Sequence, residues 1–307
     1  MSAFKYAEHA RGLALVILLA VTIAGAYSFA TGDWENVIAW WRQNWALLPW
    51  LAVLSVVDVV LEAVAWMWLY TARRMRAFDR RGFLVYVAGR AGLVMPAQLG
   101  RLIRPDAMVR LGRGSYPECL KAEALLFALD GTSVLALLVA LFAYRLSPWL
   151  SLPAGLAVTL VMLFIGDRVA DMLAHTKLGI EKGFWWSGST FAIVAVSMAG
   201  WLAHGLALYV VVAGLPGNMT LWDALVFAPA SAVLGTSTGL PGGIGATEGI
   251  LGASLRFRDV PVEHLAVAVA AFRLITFWIW VPIGWGALLS LKRHTEGSSA
   301  EAATETT

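Results

Sequence analysis

The chain has 307 residues, of which 59% are hydrophobic and 14% are charged, with a formal net charge of +3. Soluble domains have about 45–50% apolar and about 25% charged residues, so this composition predicts an all-α, polytopic membrane protein. The single cysteine excludes a disulfide framework, and the five scattered histidines show no metal-ligand spacing. We therefore expect no metal and no cofactor. Loops facing the cytoplasm explain the positive charge, so no nucleic-acid partner is expected.

Apolar segments in chain order predict about six spanning helices. They cover residues 12–30, 46–70, 121–144, 148–166, 184–214 and 262–291. A spanning helix needs about 20 residues, which each of these segments approaches or exceeds. The first segment also has features of a signal peptide. A retained helix is favoured because every later segment is membranous as well.

Basic residues between the segments predict the topology. The loop at 73–81 carries five arginines, and the last helix ends at Lys292 and Arg293. By the positive-inside rule, both chain ends are cytoplasmic and the turn at 216–218 is external, in a cell membrane. Residues 295–307 are small and polar, which predicts a disordered cytoplasmic tail.

Two apolar regions are interrupted by residues that break helices. Region 83–108 contains Gly89, Arg90 and Gly92 and is stopped by Pro96. Region 221–256 contains the break Leu240-Pro241-Gly242-Gly243-Ile244-Gly245-Ala246-Thr247-Glu248-Gly249. Lipid cannot hydrogen-bond the freed backbone, so such breaks persist only against protein or a water-filled cavity. We expect two re-entrant hairpins, the first entering from the cytoplasm and the second from outside. An ordinary turn in water is the alternative for the second region.

The two breaks occupy matching places in the chain. Pro96 and Pro241 are 145 positions apart (241 − 96), and Gly100 and Gly245 keep that offset. Inverted repeats with broken helices at matching places are typical of secondary transporters, whose binding site lies near the membrane midplane. The pattern predicts one membrane repeat over residues 1–145 and a second, inverted repeat over residues 146–294.

Three parts of the sequence resemble the lysylphosphatidylglycerol synthase transmembrane family, whose members are flippase-like. They are Arg273 and the motifs Pro96-Ala97-Gln98-Leu99-Gly100-Arg101-Leu102-Ile103-Arg104-Pro105 and Pro241-Gly242-Gly243-Ile244-Gly245-Ala246-Thr247-Glu248. The resemblance covers nearly the whole chain and implies movement of a lipid between leaflets. Arg101 stands where the family usually has an acid, so the role of that acid is not carried over. Lipid aminoacylation belongs to a soluble domain of fused members and is not implied.

The residues expected to bind substrate lie in and around the two breaks. Arginine forks bind phosphate bidentately and stay charged, which suits a lipid headgroup. For Arg101 and Arg104, anchoring at the membrane interface is the alternative. The full expected set is Arg90, Gln98, Arg101, Arg104, Gly242, Gly243, Gly245, Thr247, Glu248 and Arg273.

Glu248 has two interpretations from its position. It follows the glycines at the start of a half-helix, where a carboxylate is favoured as a cap by about 0.3–1 kcal/mol. Alternatively it pairs with Arg273, because a lone charge at membrane depth costs about 2.5–3.5 kcal/mol and needs a partner. Free N–H groups of the same half-helix also provide a site for a phosphate.

Four further acids lie within the apolar segments: Asp58, Glu62, Glu123 and Asp130. Asp58 and Glu62 are one helical turn apart on one face, so either one is protonated or an arginine lies between them. The four acids form a proton pathway or serve as ion-pair partners for the arginines.

The sequence therefore predicts a lipid translocase, not an enzyme, that moves a phospholipid or polyprenyl-linked lipid by alternating access. The lipid is the expected partner, and homo-oligomerisation is left open. An integral-membrane enzyme acting on a lipid phosphate and an ion-coupled small-solute transporter are the alternatives. A cavity open sideways to lipid favours the first of these three functions.

Overall fold

The computed structural model describes residue 39 and residues 42–95, 100–173, 180 and 183–304, with side chains as far as Lys292. Every regular element within these residues is a helix. The α-helices are α1 Leu47–Ala72, α2 Arg80–Gly89, α3 Ile103–Arg110, α4 Tyr116–Leu146, α5 Pro148–Leu173, α6 Gly188–Val212, α7 Leu221–Ser237, α8 Ala246–Phe257, α9 Val262–Arg273 and α10 Trp280–Thr304.

Five helical segments among the described residues are long and apolar enough to cross a membrane. They are Leu47–Ala72, Tyr116–Leu146, Pro148–Leu173, Gly188–Val212 and Val262–Lys292. The predicted all-α, multi-pass class is confirmed. The other expected span, residues 12–30, lies outside the described residues, and so do Pro96 and Gln98.

The last span is one helical segment with a change of winding inside it. A π-helix over Leu274–Trp278 joins α9 to α10, and the N–H of Ile279 donates to the Leu274 carbonyl at 2.9 Å. The backbone of α10 remains helical to Thr304, within the segment 295–307 for which the sequence predicts disorder. The alanines and glutamate of that segment are good helix formers, which favours the continuation.

The first interrupted region forms two short helices. Asp79 caps α2 by accepting a hydrogen bond from the N–H of Gly82 at 2.8 Å. α2 has 10 residues and passes into a 3-10 turn, and α3 has 8 residues, so neither reaches the length of about 20 that a span needs. The two arms approach closely, because a Cβ added at Gly92 would lie 2.3 Å from the Gly100 Cα. Only glycine fits that crossing.

The second interrupted region has the same form. Thr220 and Asp223 make a capping box at the start of α7, which stabilises the free N–H groups of that end. After α7 come a 3-10 turn and then α8. Gly242 and Gly245 lie in the left-handed region, with φ of 57° and 82°, a conformation that other residues adopt only at a cost. The glycines therefore determine where α7 stops and α8 starts.

The described elements follow the same order twice. α1, the broken pair α2–α3 and α4 are followed, after α5, by α6, the broken pair α7–α8 and the last span. α1 packs along α6, and the two breaks meet, because a Cβ added at Gly242 would lie 2.9 Å from the Leu93 carbonyl oxygen. This order is the one expected for two repeats. Their opposite orientation in a membrane stays a prediction.

Two hydrophobic clusters leave a gap between them along α6. One cluster contains Ile193 and Val194 of this helix, and the other contains its residues from Ala207 to Val212. The intervening turns carry Ser197, Trp201 and His204, which line a cavity. The cavity therefore lies near the middle of a spanning helix, at the depth where transporter binding sites are found.

Candidate functional site

A cavity of about 460 Å³ lies where the two broken helices meet. Its wall is formed by α1, α2, α3, α4, α6, α7 and α8 and by the last span. Most of the polar residues singled out from the sequence lie on this wall. They are Asp58, Glu62, Arg90, Arg101, Arg104, Asp130, Gly242, Thr247 and Arg273. The fold thus brings both predicted motifs to one place.

Other residues of the expected set lie behind the wall or outside the described residues. Glu123 and Glu248 do not line the cavity, but each is bound to an arginine that does. Gly243 and Gly245 shape the second break without lining the cavity. Gln98 falls in the undescribed residues 96–99.

Arg90 is held by a buried polar network on α1 and α2. Its guanidinium is ion-paired with the Glu62 carboxylate and donates to the Tyr86 hydroxyl at 2.9 Å, while that hydroxyl donates to Glu62. The arginine expected near Asp58 and Glu62 is thus present, and it binds Glu62. The Arg90 Nε is buried and has no hydrogen-bond partner among the described residues.

The Arg104 side chain lies directly against the backbone of Gly89 at the first break. This is possible because glycine has no side chain. A Cβ added at Gly89 would lie 2.4 Å from the Arg104 Nε. The Arg104 Nη1 lies 3.5 Å from the Glu123 Oε2, and Glu123 also accepts hydrogen bonds from Trp66 at 2.7 Å and Tyr70 at 3.1 Å. Three donors fix the Glu123 carboxylate, and the Arg104 side chain is buried beside it, so Arg104 is a positioned residue of the cavity wall.

Arg101 differs from the other arginines of the cavity. Among the described residues it forms no ion pair with a carboxylate, and its guanidinium lies over the face of the Phe127 ring, 5.1 Å from the ring centre. A cation on an aromatic face gains about 0.5–2 kcal/mol. Arg101 therefore brings into the cavity a positive charge that is not ion-paired with a described carboxylate, although Asp130 lines the same cavity.

Glu248 fulfils both roles considered from the sequence. Its Oε2 accepts the N–H of Gly245 at 2.7 Å, which caps α8, and its Oε1 accepts the Nε of Arg273 at 2.7 Å. Arg273 also donates to the Gly242 carbonyl at 3.1 Å and lies 4.0 Å from the Phe277 ring centre. The predicted pairing is confirmed, and it ties the last span to the second break.

Thr247 presents a polar group that the described residues leave unsatisfied. The side chain lines the cavity and is 2% exposed, and its hydroxyl has no hydrogen-bond partner among the described residues. It lies in the first turn of α8, where backbone N–H groups have no partner within the helix. The hydroxyl is packed against Gly235 and Gly243, since a Cβ added at these positions would lie 1.9 Å and 2.6 Å from it.

Two acids on the wall are bound by residues of α6. The Asp58 Oδ2 lies 3.2 Å from the His204 Nδ1, and the Asp130 Oδ1 accepts the indole N–H of Trp201 at 3.0 Å. His204 and Trp201 were missed by sequence reasoning, as was Tyr86. His204 stands 146 positions from Asp58 (204 − 58), and no local spacing links them.

Exposed apolar side chains on and near α4 line the cavity together with its charged groups. Phe127, Leu135 and Leu240 line the cavity and yet are 57%, 41% and 46% exposed. In a membrane, the outer surface of a spanning helix faces acyl chains, which tolerate only apolar side chains. The charged interior is therefore continuous with an apolar rim between α4 and the end of α7.

These features define a multi-pass membrane protein with a charged cavity between two broken helices. The family described as "Lysylphosphatidylglycerol synthase TM region" matches residues 11–284, and the chain belongs to this family. Membership links the protein to the handling of membrane lipids. No curated protein matches the chain.

Proposed function

We propose that the protein moves a phospholipid or a polyprenyl-linked lipid between the two leaflets of a cell membrane. The observation that carries the proposal is a single cavity that joins buried arginines to an exposed apolar rim. A lipid has the same two parts, a charged phosphate and apolar chains. A water-soluble solute would use the buried arginines but would gain nothing from the apolar rim.

The phosphate of the lipid would lie between the two breaks. Arg101 supplies a charge that is not ion-paired with a described carboxylate, and Arg90 supplies a second guanidinium on the cavity wall. From the other side, Thr247 supplies an unsatisfied hydroxyl at the start of α8. Charge-assisted hydrogen bonds of this kind are worth about 1.5–3 kcal/mol each, enough to offset part of the headgroup's dehydration.

The acyl chains would remain outside, passing over Phe127, Leu135 and Leu240. Because these side chains are apolar and exposed, a chain can lie against them without leaving the hydrocarbon layer. Only the headgroup then has to cross the interior of the protein. The charged groups of the cavity replace the water that the phosphate loses.

Alternating access would operate at the contact between the breaks. The backbones of Leu93 and Gly242 touch there, and each belongs to a different half. Rocking of one half against the other about such a contact would open the cavity first to one leaflet and then to the other, as in other transporters with broken helices. Both halves keep their own arginine pairs, so each is able to move as a unit.

The enzyme alternative requires a nucleophile beside a base. Ser197 and His204 both line the cavity on α6, and Asp58 binds the histidine. Seven residues of helix separate the serine from the histidine by about 10 Å, well beyond hydrogen-bond reach. Among the described residues of the wall, this serine, histidine and aspartate therefore do not form a catalytic triad.

The test is lipid movement in vesicles that contain the purified protein. Phosphatidylcholine vesicles would carry a trace of fluorescent phosphatidylglycerol, and loss of inner-leaflet fluorescence to an external quencher would be followed. Arg101→Gln should slow movement by about tenfold or more, because one charge-assisted contact is lost. Arg80→Gln, at an exposed position outside the cavity, is the matched control and should behave as wild type. Equal rates with and without protein would refute the proposal.

A further inference from the structure

The ion pairs of the cavity differ in whether they stay within one half of the molecule. Arg90–Glu62 and Arg104–Glu123 join elements within α1–α4. Arg273–Glu248 joins α9 to α8. Of the ion pairs between described side chains, the one that crosses from the first half to the second is Asp58–His204, between α1 and α6. The interface between α1 and α6 therefore carries an aspartate–histidine pair, whereas the ion pairs within each half of the cavity are arginine–glutamate pairs.

That pair contains an imidazole, whereas the other ion pairs of the cavity contain a guanidinium. Arginine stays charged at every physiological pH, whereas imidazole is the side-chain type that changes charge between about pH 5 and 8. Both partners are buried, with side chains 14% and 11% exposed, and the Phe272 ring lies edge-on to the imidazole at 5.0 Å. In such surroundings a charge on the imidazole is felt strongly by the aspartate.

The groups that face His204 come from every helix packed on α6. Asp58 and Glu62 face it from α1, Asp130 from α4 and Arg273 from α9, since all of these line the same cavity. The acid of α7, Asp223, is bound to Arg258 instead. Of the facing groups, Glu62 and Arg273 are held in arginine pairs and Asp130 by Trp201, so the Asp58 carboxylate is the direct partner of the imidazole.

We propose that Asp58 and His204 form a proton-binding site that couples proton movement to lipid movement. The pair joins α1 to α6, so a change in its charge acts on both halves of the molecule at once. Trp201, three residues before His204, makes another polar contact between the two halves, from α6 to Asp130 of α4. The inference rests on the proposed function for its transport aspect, but the proton site itself is defined by the contact between the halves.

The charge of the cavity gives the direction of coupling. Five carboxylates line or back the cavity (Asp58, Glu62, Glu123, Asp130 and Glu248), against four arginines (Arg90, Arg101, Arg104 and Arg273). With a neutral imidazole this set has one excess negative charge, and protonation cancels it. A lipid phosphate is thus bound better by the protonated protein, and by reciprocity the phosphate favours proton uptake. Proton and lipid phosphate would move in the same direction.

The first test follows the proton directly and needs no transport. Histidine-labelled protein in detergent would be titrated by NMR, and His204→Gln would identify the signal of His204. We expect the chemical shift of this signal to change with pH, and we expect Asp58→Asn, which removes the negative partner, to alter that change. His264→Gln, at a histidine outside the cavity, should leave the His204 titration unchanged. A His204 signal that does not titrate, or that ignores Asp58→Asn, would overturn the inference.

The second test measures movement of fluorescent phosphatidylglycerol in phosphatidylcholine vesicles from about pH 5 to about pH 8. The wild-type rate should fall by about tenfold per pH unit above the His204 midpoint, because it follows the protonated fraction. His204→Gln should flatten this profile and His264→Gln should preserve it. A profile that survives His204→Gln overturns the inference and leaves the translocase intact. If the wild type moves no lipid at any pH, the proposed function fails, and the titration alone decides on the proton site.

Discussion

At the scale of single residues, Glu248 shows how one carboxylate serves two elements. One oxygen caps α8 through the Gly245 N–H and the other holds Arg273 of the last span. The two partners are not equally dependent on it. Without Glu248, the buried guanidinium keeps only the Gly242 carbonyl and the Phe277 ring, whereas without Arg273, Glu248 keeps the N–H of Gly245.

Removing Glu248 should destabilise the protein more than removing Arg273. Breaking a buried ion pair costs about 3–5 kcal/mol, reduced here because the Glu248 side chain is 28% exposed. Glu248→Gln should therefore lower the free energy of unfolding by about 2–3 kcal/mol. Arg273→Gln should cost less, about 1–2 kcal/mol, since the cap remains. Thermal unfolding of both variants and the double variant in detergent measures the coupling. Additive effects within about 0.5 kcal/mol would show that the contact contributes nothing.

Asp79 provides a prediction about acid stability. Two hydrogen bonds from Arg113, at 2.8 Å each, lower its pKa from 3.8 to about 2, aided by the Gly82 N–H. Since the folded pKa is the lower one, this stabilisation is complete above about pH 4 and is lost as the pH falls towards 2. Asp79→Asn should remove that part of the pH dependence of unfolding. Asp171→Asn, at an exposed carboxylate, should keep it.

At the scale of elements, the two broken helices depend on close backbone crossings. The first crosses at Gly92 and Gly100, and in the second the Thr247 side chain fills the space beside Gly235. Such contacts leave no room for a methyl group. They explain why glycines recur in segments where lipid exposure would otherwise favour larger apolar residues.

Gly92→Ala should therefore destabilise the protein by about 1–3 kcal/mol, because backbone atoms rather than a flexible side chain must move. Gly252→Ala is the matched control, since a Cβ added there meets nothing within 4 Å and the residue lies inside α8. That change should stabilise by about 0.5–1 kcal/mol. Unfolding midpoints of the two variants in the same detergent make the comparison. Equal shifts of the unfolding midpoint in Gly92→Ala and Gly252→Ala would mean that the backbones at Gly92 and Gly100 are not in close contact in solution.

At the scale of the whole molecule, topology is the property that the proposed mechanism needs most. The basic loop at 73–81 predicts a cytoplasmic position for Arg76, and the chain parity then places Asn218 outside. Cysteines introduced at these two positions, in a Cys119→Ala background, should be labelled from opposite sides of the membrane. The removed Cys119 is buried and would otherwise react once the protein opens. Labelling of both positions from one side would contradict the inverted arrangement.

The sequence predicted the features that depend on local pattern. The five described spans were predicted from the length of the apolar segments, and both breaks from their glycines and prolines. The pairing of Glu248 with Arg273 was predicted from the cost of a lone charge at membrane depth. Long-range partners were not predictable in the same way. Nothing in the spacing shows that Glu123 receives Arg104, or that His204 reaches Asp58, because α1, α4 and α6 meet only after the chain has folded. Arg101 was expected to bind a phosphate, but its lack of a described carboxylate partner is visible only in the structure.

The π-helix at Leu274–Trp278 also determines the direction in which the following side chains of the last span point. A π turn accommodates one residue more than an α turn does, and each α-helical residue is about 100° of rotation. Before the turn, Arg273 points to the second break. After it, Gly284 lies against the first break, where a Cβ would be 2.3 Å from the Ala91 nitrogen. Without the extra residue, these two faces would be misaligned by about 100°. The π turn thus rotates the second part of the helix so that one continuous helix packs against both breaks.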